Sequence, residues 1–364
     1  MNVFPTQYQD ILKRIEDIDP LRYGKTRNYL DGAVTYLSPY ISRGVISTKT
    51  IFTAVQEKGL AFTAMEKFIQ ELAWREYWQR VWRVHGSGIN TDLKRTQQAV
   101  ENYGVSENLV LGKTEIQAID QGLQQLYETG YVHNHLRMYM ASIACNIGKS
   151  HWKLPAQWMY YYLLDADWGS NALSWQWVAG SNSKKKYYAN QENINHFCFT
   201  DQKDTFLDVP YDQFPLHDVP PVLFKTTIPT LKTHLPKVQP LHIDAGIPVL
   251  LYNFYNLDPL WKKDITANRV LLLEPSHFKE YPISERSLQF VLQLAKNISG
   301  IQTFVGDFEE FQIAYPTKEL YYKEHPFNRH YKGIEEARDW MFPLQGDFPS
   351  FFNFWKKCKK IMIR

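Results

Sequence analysis

The order of apolar and polar positions predicts that the first half of the chain is helical. Helical periodicity recurs in residues 7–18, 62–84, 114–127 and 130–148. In the long 62–84 segment, one stripe at helical spacing combines indoles with a charged pair: Glu71, Trp74, Arg75, Trp78 and Trp82. A stripe of indoles is typical of a packed core, whereas the charged pair is typical of a polar face, so both interpretations stay open.

A second polar feature lies at the end of the helical pattern in residues 130–177. We expect two helical runs here, separated at Pro155, with the second run ending in the segment DADWGSN and the motif WQW. Asp165, Asp167 and Asn171 stand among indoles, and buried polar groups cost stability unless they find partners. The pattern therefore indicates a ligand. The two carboxylates leave acid–base chemistry, metal binding and acceptance of a ligand's hydroxyl or amino hydrogen bonds open.

The character of the chain changes after residue 199. Prolines crowd the next segment and periodicity disappears, which predicts an extended linker. Short apolar runs at 247–255, 269–274 and 301–308 then alternate with one helical run at 284–298, a pattern typical of a small α/β unit with parallel strands. The predicted domains are a mainly α helical domain over 1–199, a proline-rich linker over 200–246, and a small α/β domain with a C-terminal helix over 247–364.

Composition adds many aromatic residues and a mild positive charge. The 364 residues include 11 Trp, 23 Tyr and 21 Phe, which suits stacking on a flat ligand as well as a large aromatic core. The net charge of +3 allows a polyanionic partner without requiring one. The three cysteines lie far apart, so we expect no metal or iron–sulfur cluster. Because we find no membrane-length apolar run and no signal-peptide core, we expect no membrane partner and a cytoplasmic location.

Hydroxyl-bearing and basic residues are further candidates for contacts with anions. Thr35 and Ser38 lie beside Pro39, which is well placed to open a helix. Their hydroxyls and backbone amides can meet an anion there, or they can simply cap a loop. A second candidate is the basic run Lys184, Lys185 and Lys186. Such a run is usually a solvated face, and contact with phosphate is the sharper hypothesis.

Several separated motifs resemble one family. TYLSPYISRG and ELAWREYW, followed in order by LRM, HW, DAD, N and WQW, resemble the flavin-binding helical domain of the cryptochrome/photolyase family over roughly the first half of the chain. The resemblance implies an all-helical fold that binds FAD. Members of the family typically carry an α/β antenna domain before the flavin domain. We interpret the unit after residue 247 as a relocated relative of that domain, and a second antenna chromophore is left unknown.

The resemblance also implies a cofactor site, residue by residue. The matched positions are Tyr23, Thr35, Leu37, Ser38, Arg75, Arg137, Asp165, Asp167 and Asn171. The first four match the residues that hold the phosphate arm of a folded FAD. The two arginines match polar partners of the isoalloxazine, and the two aspartates match the acidic pair on the adenosine and ribityl side. Asn171 matches the residue that faces flavin N5, where an amide can hydrogen-bond either protonation state.

The implied substrate residues favour a cyclobutane pyrimidine dimer. The matched pocket positions are Glu71, Trp74, Asn134, Met138 and Trp177, and the resemblance implies that the indoles of Trp74 and Trp177 would wedge the two rings of the dimer. In the family, a reduced flavin excited by light passes an electron to a flipped-out dimer. Flipping the dimer out of the DNA helix costs little free energy because the dimer stacks poorly. A protonated Glu71 would stabilise the resulting anion, and burial favours that protonation. His133 and His135 keep the six-four lesion open as an alternative.

Electron relay and DNA contact complete the implied assignments. Trp152 and Trp175 match two of the three indoles that carry electrons to the flavin. The third has no tryptophan counterpart, and the candidates to replace it are Tyr103, Trp78 and Trp82. The expected DNA contacts are Trp78, His135, Lys184, Lys185 and Lys186. Arginine is usual at the position of His135.

The resemblance leaves three functions open. The first is a deoxyribodipyrimidine photolyase-like lyase that repairs UV-damaged DNA by light. The second is a cryptochrome-like blue-light photoreceptor that binds FAD without repair, and the third is a flavin-binding remnant with a structural or nucleic-acid-binding role.

Overall fold

The structure, a computed structural model, describes residues 4–216 and 218–362 and is mainly helical. Its α-helices are α1 (Tyr8–Glu16), α2 (Pro20–Thr26), α3 (Ser38–Ser42), α4 (Thr48–Gln56), α5 (Phe62–His85), α6 (Glu107–Leu111), α7 (Gln117–Thr129), α8 (Asn134–Ser142), α9 (Lys153–Tyr162), α10 (Trp168–Ala179), α11 (Gln191–Cys198), α12 (Pro275–Glu280), α13 (Glu285–Ala295), α14 (Phe308–Ala314) and α15 (Phe351–Met362). The helical segments predicted near residues 7–18, 62–84, 114–127 and 284–298 are confirmed. α5 ends at Gly86, whose φ of 54° lies in the region that favours glycine.

The strands form one parallel sheet and one short antiparallel pair. They are β1 (Val105–Ser106), β2 (Thr226–Thr227), β3 (Val249–Tyr252), β4 (Asn268–Leu273), β5 (Ile301–Val305), β6 (Leu320–Lys323) and β7 (Ile334–Glu336). β1 pairs with β2, and the other five strands run parallel in the order β5-β4-β3-β6-β7. All four residues of β3 are buried, as its continuous apolar run predicts for a strand covered on both faces. The predicted fold class, helical with a small parallel α/β unit, is confirmed.

Pro155 does not separate two helices, and this prediction is wrong. α8 continues as a π-helical turn, Ile143–Ile147, and the irregular break follows at residues 148–152. Pro155 is the third residue of α9. A proline is tolerated in the first turn of a helix because the amide hydrogen that it lacks has no intrahelical acceptor there.

The described chain folds as two compact units, each discontinuous in sequence. The sheet unit comprises residues up to 21, residues 35–86 and residues from 232 onward; the helical unit comprises residues 22–34 and 87–231. This division differs from the boundaries expected after residues 199 and 246. Helices α3 to α5 belong with the parallel sheet, and β2, within the expected linker, pairs with β1 of the helical unit.

Each unit has its own core. In the sheet unit, apolar residues of the strands pack against Phe308 and Phe311 of α14. In the helical unit, the indoles of Trp152, Trp158 and Trp168 are completely buried. Among the described residues, no helix combines the length and apolarity that crossing a bilayer requires. The same residues contain no cluster of three or more His, Cys, Asp or Glu placed to hold a metal ion.

Candidate functional site

The two aspartates of the DAD motif lie at the start of α10, inside the helical unit. Each is only 6% exposed. Asp167 is the N-cap of α10, and its Oδ1 accepts a hydrogen bond from the Ser170 amide at 2.9 Å. A carboxylate at this position satisfies an amide that lacks an intrahelical acceptor and interacts favourably with the positive end of the helix dipole. The local sequence therefore positions Asp167 through its capping role, whereas Asp165 has to be held by a residue from another element.

That partner is Arg137 on α8. Its Nη1 lies 2.9 Å from Asp165 Oδ2 and 3.2 Å from Oδ1, and its Nε donates to the Val132 carbonyl at 3.0 Å. The guanidinium also lies 5.6 Å from the ring centre of Tyr131. Arg137 is therefore fixed in direction by several contacts. The sequence predicted both residues as cofactor contacts and did not predict that they pair.

The first turn of α10 presents further polar groups. Asn171 Nδ2 donates to the Ala156 carbonyl of α9 at 2.8 Å, so its Oδ1 points away from that carbonyl. Ser170 Oγ is buried and has no hydrogen-bond partner among the described residues. A buried hydroxyl without a partner is costly, and a polar ligand would satisfy it. Together with two carboxylates, this donor and acceptor set suits a ligand rich in hydroxyl groups.

The residues matched to the phosphate arm fall in both units. Tyr23 is half-buried on α2, in the helical unit. Thr35, Leu37 and Ser38 lie in the sheet unit at the start of α3, where Leu37 is buried and Pro39 occupies the second position of the helix, as the sequence predicted. In the same unit, the remaining matched cofactor residue, Arg75, donates from Nη2 to Ser42 Oγ at 2.6 Å.

The indole stripe of α5 packs against the C-terminal helix. The ring of Trp74 stacks on the ring of Phe351, the first residue of α15, with centroids 3.6 Å apart and an interplanar angle of 9°. Trp78 lies 5.3 Å from Trp74 and is only 9% exposed. Glu71 is half-buried on the same helix. One face of the Trp74 ring is therefore occupied by Phe351, and Trp78, an expected DNA contact, is buried, an arrangement that the sequence did not indicate.

The other matched substrate residues lie in the helical unit. Asn134 is exposed as the first residue of α8, and Met138 follows one turn later on the same face of that helix, partly buried. Trp177 on α10 is 37% exposed and lies 6.0 Å from Tyr187 in a tilted arrangement. Asn134 and Trp177 are thus exposed and Met138 is partly buried.

A series of aromatic rings leads from the surface of the helical unit to its interior. Tyr103 is 74% exposed and stacks on His151, whose ring centre lies 5.7 Å from that of the fully buried Trp152. Trp152 Nε1 donates to Asp92 Oδ1 at 2.8 Å, and its ring lies 6.4 Å from Trp168. Trp175, the other matched relay residue, is also buried. The sequence pointed to Tyr103 but not to Asp92, which is an isolated carboxylate in a loop without a recognisable motif.

The expected DNA contacts differ in accessibility. Lys184 and Lys185 are exposed, whereas Lys186 is partly buried and burial lowers its pKa. His135 Nδ1 donates to the Asn28 carbonyl at 2.9 Å, and its ring packs on Tyr139 and Phe197. Burial lowers the pKa of His135, so its imidazole is neutral at pH 7. Its engagement with the carbonyl and the two rings, together with the missing charge, argues against a phosphate contact at this position.

Comparison with known proteins gives a match over the segment that contains the polar residues at the start of α10. Residues 68–208 match the family model described as the FAD binding domain of DNA photolyase. The deoxyribodipyrimidine photo-lyase of Alkalihalophilus pseudofirmus is 29% identical over 146 residues, which are 39% of this chain and 30% of that protein. Cryptochrome-1 of Arabidopsis thaliana is 28% identical over 176 residues, 44% of this chain and 26% of that protein.

The solved structures that resemble this chain include a cryptochrome from Synechocystis. Its identity is 24%, and the match covers 54% of this chain and 44% of that one with a TM-score of 0.47. The chain thus spans only about a third of the length of the curated relatives that it matches. The resemblance seen in the sequence motifs is confirmed: over residues 68–208 the chain is similar to the FAD-binding domain of DNA photolyases, and it is similar in sequence to photolyases and a cryptochrome.

Proposed function

We propose that the chain is a FAD-dependent, light-driven DNA repair enzyme of the deoxyribodipyrimidine photolyase type, acting on cyclobutane pyrimidine dimers. The observation that carries the proposal is the polar face at the start of α10, where the Arg137–Asp165 ion pair, the capping Asp167 and the unpartnered Ser170 hydroxyl lie among buried indoles. Such a set calls for a polar ligand, and the family match over residues 68–208 supports FAD as that ligand.

In this proposal each residue of the polar face has a distinct task. Asp165 and Asp167 accept hydrogen bonds from the hydroxyl and amino groups of the cofactor. Arg137, held by Asp165 and the Val132 carbonyl, keeps a positive charge beside the flavin ring. Asn171 is oriented by the Ala156 carbonyl so that its oxygen, an acceptor, is available to a protonated flavin nitrogen. A bound FAD would supply the light absorption and the one-electron chemistry.

The ring series of the helical unit suits delivery of electrons to that cofactor. Trp152 and Trp175 are the relay residues, and Tyr103, exposed and stacked on His151, is the outer donor that replaces the missing third indole. Asp92 accepts the indole hydrogen of Trp152 and so stabilises positive charge on that ring. Replacing Tyr103 with Phe should slow flavin photoreduction in the absence of repair substrate. Unchanged photoreduction in Trp175→Phe would contradict the relay.

One observation favours a second candidate, a cryptochrome-like photoreceptor. A base that stacks on Trp74 would have to compete with Phe351, which covers that ring. If this face never opens, FAD binding and photoreduction remain but dimers are not repaired. The exposed Lys184 and Lys185 are equally compatible with DNA and with an acidic protein partner. A cytoplasmic location and UV-damaged DNA as the partner belong to the first candidate, the repair enzyme.

Two measurements on the purified protein test the proposed function. The absorption spectrum should show oxidised-flavin bands that bleach under blue light with an external thiol reductant. Incubation of the photoreduced protein with UV-irradiated oligothymidylate under blue light should then restore intact thymines, while a dark sample should not. Flavin without repair would establish the photoreceptor candidate, and protein without flavin would overturn both.

The role of Glu71 offers a matched pair of variants for the repair assay. Glu71→Gln keeps a hydrogen-bond donor, whereas Glu71→Ala removes it. Because loss of one donor to a developing anion typically costs a factor of about 100 or more, the alanine variant should lose most repair, and the glutamine variant should keep a substantial part. Equal rates in both variants would exclude hydrogen bonding to the dimer anion by this residue.

A further inference from the structure

The contact between Trp74 and Phe351 has the geometry of a base on an aromatic platform. The two rings are nearly parallel, 3.6 Å apart, and Phe351 is only 2% exposed. Trp355 continues the stack at 6.3 Å from Phe351, also with an interplanar angle of 9°. A flat ring of this chain thus covers one face of the indole on which the proposed function would stack a pyrimidine.

The segment before α15 is anchored firmly to α5. Glu76 and Arg80 form an ion pair at 2.9 Å with side chains that are almost completely buried. Glu76 accepts hydrogen bonds from the backbone amides of Met341 and Phe342, and Arg80 donates to the carbonyls of Phe342 and Leu344. These hydrogen bonds fix the segment before α15 against α5. The stacking of Phe351 on Trp74 is therefore a specific contact of the fold.

Only the first turn of α15 has to move to uncover Trp74. Phe351 is its first residue, and the amide of Asn353 is capped by Ser350 Oγ at 3.2 Å. Further along, Phe354, Trp355 and Cys358 are buried and keep the remainder of the helix in place. The first turn of a helix opens at much lower cost than the whole helix, because few hydrogen bonds hold it.

The exposed side of the same helix fits a polyanion. Residues 351–362 contain no Asp or Glu, and Lys356, Lys357 and Lys360 are exposed. Phosphates drawn to these lysines would bring nucleic acid beside the first turn, where a base can replace Phe351 on the indole. One ring replaces another on the same face, so Trp74 stays covered, and the cost of the exchange is the exposure of Phe351.

We propose that Phe351 closes the stacking face of Trp74 in the free protein and that an unpaired or flipped-out base of DNA competes with it by opening the first turn of α15. The inference rests on the proposed function and specifies how access to that site is regulated. The binding site for the lesion is then latent, and the affinity for DNA is set in part by the strength of the Phe351 contact.

Binding of a fluorescently labelled, UV-irradiated oligothymidylate to the full chain in the dark, at one fixed salt concentration, tests this proposal. Phe351→Leu removes the flat ring but keeps an apolar side chain, and it should bind the oligonucleotide roughly two- to tenfold more tightly, because the lost competitor is one aromatic stack. Phe354→Leu is the matched control, since this buried ring of the same helix contacts Tyr77, Phe342 and Phe348. It should leave the affinity unchanged.

Trp74→Leu in the Phe351→Leu background completes the design, and the gain in affinity should disappear. Equal affinities of the Phe351 and Phe354 variants, or a gain that persists without Trp74, would overturn the proposal. These outcomes are separate from those of the repair assay. If the wild-type protein repairs dimers but Phe351→Leu does not change the affinity for the oligonucleotide, only the closure of Trp74 by Phe351 is refuted. If Phe351→Leu raises the affinity through Trp74 but the protein repairs no dimers, only the enzymatic function is refuted.

Discussion

Two segments that both looked like binding sites in the sequence differ in the folded protein. The stripe on α5 carries indoles at helical spacing, and its Trp74 is covered by Phe351. The start of α10 carries carboxylates and amides among indoles, and there the buried hydroxyl of Ser170 has no partner among the described residues. Aromatic side chains can be satisfied by any apolar neighbour, whereas buried polar groups need specific partners. The second segment is therefore the more reliable indicator of a ligand.

The largest expected effect concerns the covered face of α5. Phe351→Ala should lower the free energy of unfolding by about 4 kcal/mol, the usual cost of removing a buried phenylalanine ring. Phe352→Ala, next to it but 68% exposed, should change stability by less than about 0.5 kcal/mol. Urea unfolding of both variants measures the difference. Similar values would mean that the Trp74 face is not part of the packed core.

The ion pair of the polar face should give the next largest effect. Arg137→Met removes the positive charge that pairs with the Asp165 carboxylate, whose side chain is 8% exposed, and should cost about 3 kcal/mol. Arg137→Met combined with Asp165→Leu should recover much of this loss, because neither charge remains. Thermal and urea unfolding of the two single variants and the double variant measure the coupling. Additive losses would contradict a buried pair.

Acid should destabilise the helical unit through His133. Burial lowers the pKa of this histidine to about 4, below its ordinary value of 6.5. The unfolded chain then binds the proton more readily, so stability is complete above pH 6.5 and falls towards pH 4, by about 2 kcal/mol at pH 5. His133 accepts the amide of His135 as the N-cap of α8, and asparagine can keep that cap. His133→Asn should therefore flatten the stability profile in this window, and an unchanged slope would assign it to other groups.

The smallest effect separates the structural role of Asp167 from its proposed role in binding. Asp167→Ala should cost about 1 kcal/mol of stability through loss of the N-cap. Asp167→Asn keeps the cap but removes a charged acceptor, so it should retain stability and lose FAD affinity. Unfolding curves and flavin titrations of the two variants provide the test. Equal FAD affinity in Asp167→Asn and the wild type would limit the residue to capping.

Much of the fold follows from the sequence because each element has a local cause. The helical period predicted α5 and α13, and continuous apolar runs predicted β3 and β4 as buried parallel strands. Pro155 was misread because a proline that ends a helix and one that enters its first turn look alike in sequence.

The division into units and the partner of Trp74 could not be predicted, because both depend on contacts between residues far apart in the chain. Trp74 and Phe351 lie far apart in the sequence although their rings are in contact, and neither residue type specifies the other. For the polar face, the motif predicted which residues matter, while their pairing emerged only from the structure. Arg137 and Asp165 lie on different helical segments, and no periodicity connects them.

The central claim is that the polar face at the start of α10 holds FAD. Titration of flavin-free protein with FAD, followed by flavin fluorescence, tests it most directly when the wild type is compared with Asp165→Asn. The account predicts saturation at one FAD per chain in the wild type and affinity weaker by about tenfold or more in the variant, because a charged acceptor is lost. No saturable binding by the wild type, or equal affinity in both proteins, would contradict the account.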